Sequence, residues 1–315
     1  MPGGAITRFA DLYDFANSIR GADVKALVRT HGDYRAELTR VDLHRVWIQH
    51  GRQSVDQIIH FKVPEDRSAV LFVADDDRTP TYVSGMEVSR SDLVCYSPGA
   101  EHHLRTPATG HWLTMSLQTA ALAEVGRVLN GCDVVAPAVT QVTRVPTQLM
   151  SRLRALHDVA ARLAQDAPDI LANPEVAKAL EQELVRVLVA SLTDPAVAQN
   201  LGFARPRLAV MQRFERIIEA NPDQPLYVAE VCSAIGVTDR TLRLHCQDHL
   251  GMSPHQYLWL RRMHLAQRAL GRADRTTKTV TEIANDYGFG ELGRFAVAYR
   301  SLFGESPSAT LRRSL

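Results

Sequence analysis

The chain has 315 residues, 45% of them hydrophobic, with 36 Lys and Arg, 35 Asp and Glu, and four cysteines. That length allows two domains, each with its own buried core. Charged residues (Asp11, Asp14, Arg20, Asp23) break up the N-terminal stretch and no run approaches 18 apolar residues, so neither a signal peptide nor a membrane span is expected, and a cytoplasmic location is. Cys95, Cys132, Cys232 and Cys246 show no CxxC spacing and read as reduced thiols. The balanced total hides an asymmetry. Residues 205–315 carry 16 Lys and Arg against 11 Asp and Glu, whereas 1–204 carry 20 against 24. A basic C-terminal part suits contact with phosphates, whose neutralisation releases condensed counterions.

In chain order, Phe9, Leu12, Tyr13, Phe15, Ala16 and Ile19 predict a helix within residues 1–30. From Tyr34 the pattern turns to short β-prone runs: Tyr34–Leu43, Arg45–Gln49, Ile58–Val63, Ala69–Val73, Thr81–Val83, Leu93–Tyr96 and Trp112–Leu117. Turn signals such as His50-Gly51, Val63-Pro64 and Ser84-Gly85 separate them, which predicts a sandwich or small barrel. Gly85, Asp92, Pro98-Gly99 and His102 fall at the spacing of the second half of a cupin motif, which this segment resembles. No His-x-His with a downstream glutamate precedes them. His102 is therefore read as a structural or ligand-lining histidine, and neither a metal nor another cofactor is assigned. His60, His103 and His111 are read in the same way. Tyr34, Trp47 and His102 are the candidate ligand-binding residues.

After Gln118 helices return, over Ala120–Leu129, then from Pro146 to about Ala164, then from Asn173-Pro174-Glu175, a cap followed by proline and an acid. The last two read as an αα-hairpin. Thr193–Pro206 is polar and turn-rich and reads as an interdomain linker. A helix over Arg207–Ala220 is expected to open the second domain.

Beyond it one pattern occurs twice. Val228-Ala229-Glu230-Val231-Cys232 returns as Val280-Thr281-Glu282-Ile283-Ala284, at an offset of 52, and Ser253-Pro254 returns as Ser306-Pro307, at 53. Each copy reads as a helix, a glycine turn (Gly236, Gly288) and a second helix. Such a pair is a helix-turn-helix, whose second helix fits a DNA major groove. The two units span about 228–249 and 280–303. Between them Ser253–Leu270 reads as one long helix.

The phrases Ile235-Gly236-Val237-Thr238, Leu250-Gly251-Met252-Ser253-Pro254, Tyr287-Gly288-Phe289 and Phe303-Gly304-Glu305-Ser306-Pro307 stand in order at the spacing of the DNA-binding domain of AraC/XylS-type regulators, which residues 226–313 resemble. The resemblance implies an α+β chain: residues 1–200 as a cupin-like β-barrel with its αα-hairpin, for effector sensing and dimerisation, then 207–315 as the all-α DNA-binding domain. The implied partners are double-stranded DNA, a small-molecule effector, a second copy of the chain in a homodimer and, for an activator, RNA polymerase. On the first recognition helix the candidate DNA contacts are Thr238, Asp239, Arg240, Thr241, Arg243, Leu244 and Gln247. On the second they are Glu291, Leu292, Gly293, Arg294, Val297 and Arg300. The family commonly has arginine where Leu244 and Val297 stand; the second helix is expected to grip backbone or shape, with Arg294 its one base-reading candidate, and specificity to come mainly from the first. The alternative, a metal-dependent cupin enzyme fused to a DNA-binding module, lacks a complete His/His/Glu/His set. No nucleotide-binding glycine loop, Ser-His-Asp signature or receiver pattern is present, so no catalytic residue is expected.

Overall fold

The computed structural model describes residues 2–30, 32–74, 79–194, 201–203, 208–274 and 276–313. The chain is α+β, an antiparallel-sheet part followed by an all-helical part. It forms two compact units, one of residues 1–26, 34–54 and 59–204, the other of 27–33, 55–58 and 205–315. The first thirty residues contain the expected helix, but shortened and set between two strands. They form strand β1 (Gly3–Phe9), a short helix α1 (Leu12–Ser18) and strand β2 (Asp23–Val28). The side chain of Asp11 caps α1, accepting from the amides of Tyr13 and Asp14, so the apolar residues read as one helix divide between two elements.

The remaining strands are β3 (Ala36–Asp42), β4 (Val46–Gln53), β5 (Gln57–Lys62), β6 (Arg67–Val73), β7 (Thr81–Val83), β8 (Met86–Val88), β9 (Asp92–Cys95), β10 (Glu101–Thr106), β11 (His111–Gln118), β12 (Gln141–Arg144) and β13 (Leu201–Phe203). They make two open sheets, β1-β3-β4-β11-β6-β9-β12-β13 and β2-β5-β10-β7-β8. Strand β13 pairs antiparallel with β12 inside the stretch read as a linker, most of which lies outside the described residues.

Both faces of the larger sheet are covered, and the period of two divides their residues. Val46, Ile48, Val70, Phe72, Leu113, Met115 and Leu117 pack in one core with helices α2 (Thr119–Asn130), α3 (Thr147–Asp166), α4 (Pro168–Ala172) and α5 (Pro174–Thr193). The alternate residues Gln49, Leu71, Trp112, Thr114 and Ser116 line a cavity on the other face. Trp112 stands opposite Gly51 on β4, and a Cβ there would lie 2.0 Å from the indole ring, so glycine is required for the ring to lie across its neighbour.

Buried polar contacts, two of them to β4 and its approach, help fix the helices to this sheet. Glu181 of α5, 3% exposed within the apolar stripe, accepts from the amides of Arg45 and Val46 at 2.6 and 3.2 Å. On α3 the fully buried His157 meets His50 of β4, Nδ1 to Nε2 at 3.3 Å, with the rings stacked 7° from parallel.

Burial holds both of these histidines neutral. The His50 pKa falls to about 3, through desolvation first and then His111 and Arg52, and His157 is pushed well below its ordinary value by desolvation and then by His50. The unfolded chain takes up these protons near pH 6.5 while the folded chain refuses them. Stability is therefore intact above about pH 6.5 and falls as pH drops toward 3, by at most about 1.4 kcal/mol per pH unit for each histidine. Urea midpoints measured between pH 7.5 and 5 should fall, and His157→Leu should flatten that slope. An unchanged slope in the variant would contradict this assignment.

Candidate nucleic-acid interface and inter-sheet cavity

The second unit contains helices α6 (Leu208–Ala220), α7 (Val228–Ile235), α8 (Asp239–Leu250), α9 (Pro254–Arg272), α10 (Val280–Asp286), α11 (Leu292–Phe303) and α12 (Pro307–Arg313). Helix α7 ends on Gly236, whose φ of 69° is the left-handed conformation that favours glycine. The Thr238 hydroxyl then caps α8, accepting from the Thr241 amide at 3.2 Å. Leu242, Cys246 and Leu250 of α8 are each 0% exposed and pack with α6, α7 and Tyr257 of α9. In the second copy Thr279 and Glu282 form a reciprocal capping box at the start of α10, Gly288 takes φ 76°, and Phe295 and Tyr299 of α11 are buried. Helix α9, opened by a Ser253–Gln256 capping box with Pro254 in its first turn, contributes to both cores: Tyr257 and Leu258 to the first, Met263, Ala266 and Leu270 to the second.

This burial sets which residues face outward. On α8, Arg240, Leu244 and Gln247 are exposed on the side opposite the buried stripe. Of the other residues expected there, Thr238 is committed to the cap and Thr241 is half-buried beside it, 2.9 Å between hydroxyls. Arg243 donates to Asp239 at 2.8 Å. An exposed pair of this kind is worth only a few tenths of a kcal/mol and opens readily to a phosphate. On α11 the outward set is Gly293, Val297 and Arg300, while Arg294 pairs with Glu291 at 3.0 Å and Leu292 is 37% exposed at the helix start.

Sequence reasoning missed the side chain that ties the two helix-turn-helix copies together. Arg262 of α9 lies over the Tyr227 ring (5.0 Å) and the Phe289 ring (5.2 Å) and donates to the Gly288 carbonyl at 3.3 Å. Tyr227 precedes α7, and Gly288-Phe289 is the turn of the second copy, so one guanidinium joins both. A Cβ on Gly288 would lie 2.3 Å from the Tyr227 hydroxyl oxygen, so a side chain there would have to displace the tyrosine as well as adopt a positive φ.

The cavity in the first unit holds about 70 Å³. Its walls are mostly apolar, among them Ile59, Phe61, Leu71, Leu104 and Trp112, with Arg20, Gln49, Thr114 and Ser116 as polar members. None of the three residues expected to bind a ligand is part of the wall. Tyr34 packs on Phe15 with 6.3 Å between ring centres. Trp47 is half-buried between the guanidinium groups of Arg20 and Arg67, 3.8 and 3.4 Å from its ring centre. His102 sits behind the wall, its ring 4.8 Å from that of Tyr96, which does line the cavity, and its Nε2 3.4 Å from the Thr140 hydroxyl. Desolvation above all lowers its pKa to about 4, so it is neutral near pH 7. Of the other histidines, His60 lies 5.0 Å from His103 between ring centres, and His111 Nδ1 is 3.2 Å from an Arg52 nitrogen. The wall residues overlooked are Tyr96 and Trp112. Their hydroxyl and indole N–H are buried with no hydrogen-bond partner among the described residues. The alternation Trp112, Thr114, Ser116 was the available signal for this face.

Two capped helix pairs sharing one long helix make the second unit a tandem helix-turn-helix domain. Residues 231–313 match a family described as "Helix-turn-helix domain". The chain is 39% identical over 150 residues to the probable thc operon regulatory protein of Rhodococcus erythropolis, a match covering 47% of this chain and 45% of that one. It is 38% identical over 103 residues to XylDLEGF operon transcriptional activator 3 of Pseudomonas putida, covering 32% of this chain and 31% of the relative. The matches thus span less than half the length of these relatives. Among solved structures, the AraC-like transcriptional activator CuxR aligns with 84% of this chain and 96% of its own at 16% identity and a TM-score of 0.43. The resemblance to AraC/XylS-type regulators thus rests on the C-terminal part of the chain.

Replacing Arg262 with alanine removes two cation–π contacts and a hydrogen bond from the joint between the copies. We expect a loss of about 1–2 kcal/mol in unfolding free energy. Chemical denaturation of the full chain measures it, and an unchanged midpoint would contradict the role of Arg262 as the joint.

Proposed function

We propose that the chain is a sequence-specific transcription regulator that binds double-stranded DNA through residues 207–315 and responds to a small molecule held by residues 1–200. The observation that carries this reading is the pair of recognition helices, each with its outward face free of packing, in one basic unit spanned by a 19-residue helix. At 1.5 Å per residue that helix is about 28 Å long, and the width of the flanking helices brings the two faces toward the ~34 Å repeat of the major groove. In this reading Arg240 takes a guanine by its O6 and N7, and Arg300, late on its helix, grips a phosphate. The protein acts in the cytoplasm, by binding rather than catalysis, as a homodimer joined through the α3–α5 hairpin, with RNA polymerase as a further partner if it activates.

In the same reading the two-sheet unit is a cupin-like sensor and the inter-sheet cavity is the effector site. Its apolar walls select a compact apolar body. The hydroxyl of Tyr96 and the indole N–H of Trp112 supply donors for one acceptor oxygen, since buried donors without partners cost free energy that a ligand oxygen would recover.

Selection of duplexes from a randomised library by the full chain tests the DNA reading. A preferred sequence should emerge, with affinity that falls steeply as salt rises. Arg240→Ala should cost about 1–3 kcal/mol on that sequence and relax the preference at one position. Arg300→Ala should weaken all sequences about equally and reduce the salt slope by roughly one phosphate contact. A selection that returns no preferred sequence would contradict the proposal. For the effector site, cyclohexanone should raise the melting temperature, and Ala69→Phe, which fills the cavity, should remove the effect. A shift that persists in the filled variant would place the ligand elsewhere.

A further inference from the structure

The copies of the repeat align at an offset of 53 in their second helices, where buried Leu242 and Cys246 match buried Phe295 and Tyr299. That alignment sets Arg240 against Gly293, Leu244 against Val297 and Gln247 against Arg300. Both outward faces therefore have an aliphatic side chain at the centre. Leu244 is 54% exposed and Val297 73% exposed. A single exposed aliphatic residue is ordinary in a folded protein. Two at equivalent places, each in the middle of the surface offered to DNA, call for a common cause.

Folding does not supply that cause on α11. Valine in mid-helix loses side-chain freedom, and at this exposure it recovers little by packing. Gly293, in the first turn of α11, forms helix less readily than alanine, yet nothing lies within 4 Å of where its Cβ would stand. No neighbour in the described fold requires glycine at that position. What the pair produces is a flat, uncharged patch at the centre of the helix face, with Arg300 beyond it.

The major groove offers one apolar group, the thymine 5-methyl. We propose that Val297 and Leu244 each read a thymine methyl, at equivalent places in two successive major-groove segments, and that Gly293 allows the α11 backbone to approach closely enough for the shorter valine to reach. Val297 is then the specificity residue of the second helix, which reads bases and does not merely grip the backbone. The first segment is read as guanine by Arg240 and thymine by Leu244, the second as thymine alone. This assignment rests on the DNA-binding reading.

Replacing dT by dU removes the methyl and leaves every hydrogen-bonding group in place. The test uses the full chain and a duplex selected from the randomised library, resynthesised with dU at one thymine at a time. One position in each segment should lose about three- to fivefold in affinity, the scale expected for one methyl group taken out of water. Val297→Ala, an exposed change that favours the helix, should abolish the dU sensitivity of the second segment and leave the first intact. Leu244→Ala should do the reverse. Equal affinity of the unaltered protein for dT and dU duplexes would overturn the proposal while leaving sequence-specific binding standing, and so would undiminished dU sensitivity in Val297→Ala. If no sequence is selected, the DNA-binding reading falls and this proposal with it.

Discussion

The helix-turn-helix unit depends on one rod being shared by two cores. Helix α9 gives its first turns to the core of the first helix-turn-helix and its later turns to that of the second, so neither recognition helix has a foundation independent of the other. Arg262 projects from this rod onto the entry to one unit and the turn of the other. Because packed cores resist continuous deformation, the spacing of the two outward faces follows from the length of α9. The cap residues matter for the same reason: Thr238, Ser253 and Thr279 each satisfy a helix terminus at a point where the chain changes direction.

The sheet unit works under a different constraint. Its larger sheet is buried on both faces, so the period of two distributes residues between a helix-covered core and a cavity. His157 and Glu181 are polar groups within the helical cover, each paired to β4 or its first residues, and the pairing fixes where the helices lie on the sheet. The cavity face has fewer internal partners. It keeps the Tyr96 hydroxyl and the Trp112 N–H without a hydrogen-bond partner among the described residues, which the proposed effector site would put to use.

Much of the second unit was readable because its signals are local. A glycine stop, a threonine or serine cap and apolar residues four apart each act within a few residues, and the repeat supplied every reading twice. The expected strand over Thr81–Val83 and helices near Ala120, Pro146 and Asn173 correspond to elements of the fold for the same reason. In the N-terminal thirty residues the helix was legible but not its start: Phe9 is spaced with Leu12 and Phe15 like a helical stripe, although Asp11 starts a new element between them. Strands β10 and β12 pair through contacts distant in sequence, which no local pattern announces. At the sites, Leu244 and Val297 stood out only as departures from the usual arginine. That both occupy the centre of an unpacked face, and that Tyr96 lines the cavity in front of His102, required the tertiary arrangement.

The central claim is that one polypeptide presents two reading heads, set by α9, to one face of the double helix. Hydroxyl-radical footprinting of the full chain on a selected duplex tests it most directly. Two protected patches on the same DNA face, centred about ten base pairs apart for each bound chain, are the predicted result. A single patch, or two on opposite faces, would contradict it.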